Sequence, residues 1–333
     1  MSPERPAAEA ASNRTTSEVT ERARAFVAAH LDAATALGRA AGDLAANPAD
    51  VAAAIRAGLP ALADPEYLDG QRRIAPGLGP TLGVRNPLLT AVTRGLRART
   101  RRDRPGALLD IADHLLRDDV LELHWLAFDL LDRAISGEPE RAWQLVRREA
   151  RTASDWITVD SLAHVAGRGI LAEPFRWAEL EQLVYSPSRW ERRLAGSTIA
   201  TIPFVDRTAG RRPDIAAHGL GIVGDLIGDA EPDVQKALSW ALRNLAAVDR
   251  DQVIGFLERQ TELARTTDDG HRAWVIRDTL AKIPAPIAAG LRDALTGVRR
   301  HGPSTSRAAA TAADFLGLGT GVMPADRPVV ARP

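Results

Sequence analysis

Three short stretches carry side chains whose chemistry packing alone does not explain. In Trp156-Ile-Thr-Val-Asp160 an indole and a carboxylate stand at i and i+4. In Trp190-Glu-Arg-Arg193-Leu-Ala195 an arginine follows a tryptophan by three positions. In Gln235-Lys-Ala-Leu-Ser-Trp240-Ala-Leu-Arg243 a tryptophan lies between two cations, Lys236 and Arg243. Arginine suits forked contacts to phosphate. A tryptophan flanked by cations and turned from the core suits a ligand.

The helical repeat decides which way these residues point. At about 100° per residue, Val159, Leu162, Ala163 and Ala166 form the apolar stripe of a helix capped at Ser154 or Asp155, and Trp156 and Asp160 sit roughly 70° and 110° from its middle. On the second helix Leu194, Ala195, Thr198, Ile199 and Ile202 gather on one side, placing Arg193 about 170° round. On the third the stripe is Val234, Leu238, Ala241, Leu242 and Leu245, with Trp240 roughly 140° away. Taken singly, each feature has a packing explanation, because most tryptophans are core residues and i,i+4 pairs arise by chance. Three on consecutive repeats weigh more. If the repeats stack in parallel, the three positions share one concave surface.

The supporting elements read as paired helices. Apolar periodicity predicts helices at 106–117 and 119–135, 139–151 and 155–168, 175–184 and 188–202, 213–228 and 231–246, and 250–263 and 270–283. The second members recur at the spacing of HEAT-like repeats. No segment alternates with period two, so the fold class is all-α, a HEAT-like helical repeat solenoid. Such an array extends over 333 residues without needing a second core. The expected division is a disordered start at 1–17, a repeat domain at 18–302 whose first helix at 18–46 is an addition for docking on the first repeat or binding a partner, and a mostly disordered tail at 303–333.

Composition removes several chemistries. The 43 basic and 43 acidic residues cancel, which argues against a main role in nonspecific grip on nucleic acid, although distribution can still supply a basic face. Six arginines crowd Arg94–Arg104, as a solvated helix end or as a phosphate clamp. There is no cysteine, and the seven histidines show neither H-x-x-x-H nor H-E-x-x-H spacing, so no metal site is expected. Gly219-Leu-Gly221-Ile-Val-Gly224 spells a dinucleotide pattern but follows a helix, and Ala75–Gly83 is a glycine- and proline-rich connector with no strand before it. His164 lies at i+4 from Asp160 on the same helix face, a spacing at which a carboxylate and imidazole pair can form, but no catalytic role is expected of it. No signal-peptide segment or run of membrane-spanning length is present, so a cytoplasmic soluble protein is expected.

Together the three motifs resemble the AlkD-type alkylpurine DNA glycosylases, HEAT-like repeat enzymes of DNA alkylation repair. The likeness covers roughly residues 50–285 and includes a weaker echo at Leu82-Gly-Val-Arg85-Asn-Pro87. It implies a hydrolase acting on alkylated double-stranded DNA through a concave face, as a monomer, with no cofactor and no metal. The implied substrates are purines alkylated at N3 or N7, whose positive charge weakens the glycosidic bond, and bulky adducts are included because the lesion need not be flipped into a pocket. Asp160 would stabilise the oxocarbenium character of the sugar and orient water, Trp156 and Trp240 would contact the deoxyribose and backbone, and Arg193 would hold a phosphate. Arg85, Arg192, Lys236 and Arg243 complete the expected DNA contacts. Asp155, where relatives often have an aromatic, would set a second carboxylate near the site. Self-resistance to a genotoxic natural product is a specialised form of the same reading. The alternatives are a noncatalytic repeat protein that binds DNA structures and a protein-binding scaffold with Trp240 and Arg193 as hot spots.

Overall fold

The computed structural model describes residues 5–75, 77–309 and 311, with side chains from Val19 onward. Fifteen α-helices follow in order: α1 (Arg5–Asp43), α2 (Pro48–Gly58), α3 (Pro65–Ile74), α4 (Asn86–Arg99), α5 (Pro105–Leu115), α6 (Leu121–Ala134), α7 (Pro139–Thr152), α8 (Trp156–Ala172), α9 (Arg176–Leu183), α10 (Arg189–Val205), α11 (Pro213–Leu226), α12 (Pro232–Leu245), α13 (Arg250–Thr267), α14 (Gly270–Thr279) and α15 (Ala285–Ala294). Among the described residues there is no strand, only an isolated bridge between Ala63 and Val84. The chain divides into two compact units, one up to Leu130 and one from Leu131.

In the first unit α1 lies along α4 at backbone contact. A Cβ added to Gly38 would come within 1.9 Å of the Val92 carbonyl oxygen, and one added to Gly95 within 2.3 Å of that of Thr35. Ala34 and Ala41, on either side of these two crossings, are fully buried, so the alanine-rich composition of α1 serves close docking on α4. The helix begins at Arg5, so residues 5–17 are helical where disorder was expected. Residues 1–4 lie outside the described part. The connector at 75–83 does cradle an anion, and the anion is internal. Buried Glu122 accepts hydrogen bonds from the Thr81 hydroxyl at 2.9 Å and from the backbone N–H groups of Leu82, Gly83 and Val84 at 3.1, 2.8 and 3.1 Å. Gly83 reaches this geometry at a φ of +79°, which favours glycine.

The second unit repeats a helical hairpin: α7 with α8, α9 with α10, α11 with α12, α13 with α14. Starts are set locally. Proline opens α7, α11 and α12, while Asp155, Ser188, Asp249 and Asp269 cap α8, α10, α13 and α14 through their side chains. The second members, α8, α10, α12 and α14, pack side by side in that order. Gly196 permits a close approach of α10 to α12, since a Cβ there would lie 2.9 Å from the Ala237 Cβ and 3.2 Å from the Ala237 carbonyl carbon. Residues 303–309, expected to begin a disordered tail, are instead anchored. The Thr305 N–H and the Ser304 hydroxyl donate to the Gly228 carbonyl at 3.0 and 3.2 Å, the Thr305 hydroxyl donates to the Asp269 carboxylate, and Ser306, Ala308 and Ala309 are buried. Beyond Thr311 the tail lies outside the described residues.

Candidate functional site

The second-helix row brings the first motif against the second. Asp155 is not a second free carboxylate beside the site. Its oxygens accept from the Thr158 N–H and hydroxyl, each at 2.8 Å, and this cap fixes the first turn of α8 from which Trp156 and Asp160 project. Asp160 then meets α10. Arg193 Nε donates to Oδ1 at 3.1 Å, Arg193 Nη2 to Oδ2 at 2.8 Å, and the Ser197 hydroxyl to Oδ1 at 2.6 Å. The guanidinium is also tied on its far side, Nη1 donating to the Asp233 backbone carbonyl at 2.7 Å. Its carbon lies 5.9 Å from the centre of the Trp156 ring.

This arrangement corrects the expected direction of Arg193. The helical wheel places it opposite the buried stripe, free for phosphate, yet its side chain is only 6% exposed and its fork is taken up by Asp160. The reason is the position of α10 between α8 and α12, which buries both flanks, so that every residue from Arg192 to Pro203 is inaccessible. Asp160 itself keeps one edge open, its side chain 20% exposed. Ser197 carries no motif. Its only signal in the sequence is its place one turn after Arg193.

The expected DNA contacts divide in the same way. Arg192 is buried, donating from Nε to Asp229 at 2.7 Å and from Nη1 to the carbonyls of Ser186 and Pro187 at 2.8 and 3.1 Å, so it ties loops together and cannot reach a phosphate. Arg85, in the first unit, is held by Asp64 at 2.6 Å and stacks on Tyr67 at 5.0 Å. Arg243 binds the Asp278 carboxylate and carbonyl on α14. Burial works to raise the Asp278 pKa, but the Ser239 hydroxyl and Arg243 outweigh it and hold the carboxyl below its ordinary range. Lys236 is exposed and has no partner among the described residues.

The seven tryptophans also separate by environment. Trp143 and Trp177 are buried, whereas Trp125, Trp156, Trp190, Trp240 and Trp274 are half-buried. Trp190 is covered by Arg189, stacked at 4.8 Å. Trp156 and Trp240 stand on α8 and α12, on either side of the helix that supplies Arg193 and Ser197. Gly219-x-Gly221-x-x-Gly224 lies within α11, not at a turn after a strand, and Gly221 and Gly224 line an open cavity of about 500 Å³ with Gly255 and Phe256 of α13. Among the described residues no cluster of histidine or carboxylate side chains could hold a metal, and no helix is long and apolar enough to cross a membrane.

A family model described as DNA alkylation repair enzyme matches residues 55–282, a span that contains all three motifs. No curated protein matches the sequence.

Proposed function

The chain belongs to the family of DNA alkylation repair enzymes, and we propose that within it this protein is a DNA glycosylase that hydrolyses the N-glycosidic bond of purines carrying a positive charge from N3 or N7 alkylation. The reading rests on the Asp160 carboxylate, fixed by three hydrogen bonds from Arg193 and Ser197 with one edge left open, in a helix row that also carries the half-buried Trp156 and Trp240.

A cationic purine leaves as a neutral base and needs no acid. The remaining task is to stabilise positive charge on the sugar as the bond opens. A carboxylate held rigidly in place does this without reorganising at the moment of reaction. Arg193 weakens the field of Asp160 but fixes its aim, and Ser197 holds the same oxygen from the other side. Half-buried indoles offer faces to the sugar and backbone, and to the positive charge that develops there. With Arg85, Arg192, Arg193 and Arg243 all engaged within the protein, Lys236 is the residue among the expected contacts left to meet a phosphate. The same engagement of Asp160 favours one second reading, a noncatalytic DNA binder in which the pair only joins α8 to α10.

Release of 7-methylguanine and 3-methyladenine from methylated duplex DNA separates the two. The wild type is expected to release both, and Asp160→Asn to lose at least about a hundredfold in rate, roughly 2.7 kcal/mol of transition-state stabilisation. DNA binding without release by the wild type would favour the noncatalytic reading.

A further inference from the structure

The oxygens of Asp160 already accept three hydrogen bonds from Arg193 and Ser197, which leaves little room at them for a proton from the attacking water. Hydrolysis nonetheless liberates one. We propose that His164 is the proton acceptor for the water that attacks the sugar, an inference that rests on the glycosylase reading above.

The geometry comes from α8. Trp156, Asp160, His164 and Arg168 follow one another at four-residue intervals, and none of them is buried. The Cβ atoms of residues so spaced lie about 5–6 Å apart on a helix surface, a spacing at which one water can bridge a carboxylate and an imidazole. The ring of His164 is also unoccupied. In His30, His114 and His218 the Nδ1 atom lies 2.8, 2.9 and 2.8 Å from the carbonyl oxygen one turn back. His164 makes no such bond, nor any other hydrogen bond among the described residues. Its two nitrogens are therefore free, one to accept from water and the other to pass a proton on.

Desolvation keeps this base neutral against the net pull of the charges around it. Desolvation lowers the His164 pKa below the ordinary imidazole value, against the opposing pull of Asp132 on α6 and Asp160 on α8, and with Arg168 adding to the lowering. Arg168 is bound to Asp132, and Arg193 of α10 to Asp160, so each carboxylate near the ring already has a cation. Asp206, at the end of α10, also feels Arg168. At pH 7 the imidazole is thus predominantly in the form that can accept a proton.

The step balances. The C1′–N bond breaks with its electron pair moving to the purine, which leaves neutral, and the positive charge passes to the sugar. The water oxygen bonds to C1′, one of its protons moves to His164 to give imidazolium, and that proton is then lost to solvent.

The test is single-turnover release of 7-methylguanine as a function of pH by the wild type and by His164→Ala. Release by the wild type is expected to fall at low pH as the imidazole protonates. His164→Ala should be slower by about 10²-fold at pH 7, in line with general-base catalysis, and lack this limb. Because His164 is exposed, the variant should melt with the wild type, and added imidazole should restore part of its rate. Wild-type release that His164→Ala leaves unchanged, or a loss that imidazole does not rescue, would overturn the assignment and leave the glycosylase reading standing. Absence of release by the wild type at every pH would overturn both.

Discussion

Arg192 and Arg193 are neighbours on one helix, each bound to an aspartate of an adjoining repeat, with Asp233 a second and longer contact of Arg193 at 3.9 Å, and the two main pairs differ in their exposure. Arg192 and Asp229 are buried on both sides, with side-chain exposures of 3% and 2%, and the guanidinium also binds two backbone carbonyls of the turn before α10. That pair joins the α9–α10 turn to the α11–α12 turn. Arg193 is as deeply placed, but its partner Asp160 opens to solvent, and a tryptophan from the same helix stands beside it. A sealed ion pair stabilises or specifies a fold. An ion pair with one open carboxylate edge can act on something outside it. The lesson is that burial of the cation alone does not mark a structural role; the exposure of the carboxylate decides.

Breaking the sealed pair should have the largest effect on stability. Arg192→Ala strands Asp229 in a dry site and is expected to cost about 3–5 kcal/mol, read as a fall in denaturation midpoint, with no change in release per folded molecule. A midpoint close to the wild type's would mean that water reaches Asp229 and that the contrast is false. Next comes Ser197→Ala, which removes one of the three bonds to Asp160. Its stability cost should be about 1 kcal/mol, and its release rate should fall roughly tenfold, because the remaining fork allows the carboxylate to rock. A rate loss no larger than the stability loss would make Ser197 a packing residue. The smallest effect is expected at Lys236. Lys236→Ala should weaken binding to all duplexes alike and reduce the salt slope by about 1, leaving the rate of bound substrate unchanged. An unaltered slope would remove α12 from the DNA-facing surface.

Much of the frame was legible because it rests on short-range pattern. The paired helices from 105 to 282 fall within a few residues of their expected bounds, and their capping residues lie where the periodicity begins. Asp160, Trp156 and Trp240 could be singled out because α8 and α12 each keep an accessible edge. What escaped was every pairing across repeats. Asp160 and Arg193 are separated by 33 residues, Ser197 and Asp160 by 37, Arg243 and Asp278 by 35. A helical wheel assigns one buried side to each helix, whereas α10 has neighbours on both flanks, so Arg193 was turned outward by a rule that does not hold there. Anchoring of residues 303–309 was hidden for a related reason. Its prolines and small residues suggest disorder, and the groups that hold them, the Gly228 carbonyl and the Asp269 carboxylate, belong to distant helix ends.

The most direct test sets the two aspartates side by side. Single-turnover release of 7-methylguanine per folded molecule would be measured for Asp160→Asn and Asp229→Asn, with the folded fraction read from denaturation of each. Asp160→Asn is expected to lose about a hundredfold in rate and Asp229→Asn to stay near the wild type's rate, despite the greater loss of stability in the latter. Equal rates per folded molecule in the two variants would contradict this expectation, and would make the pair of Asp160 and Arg193 as structural as its neighbour.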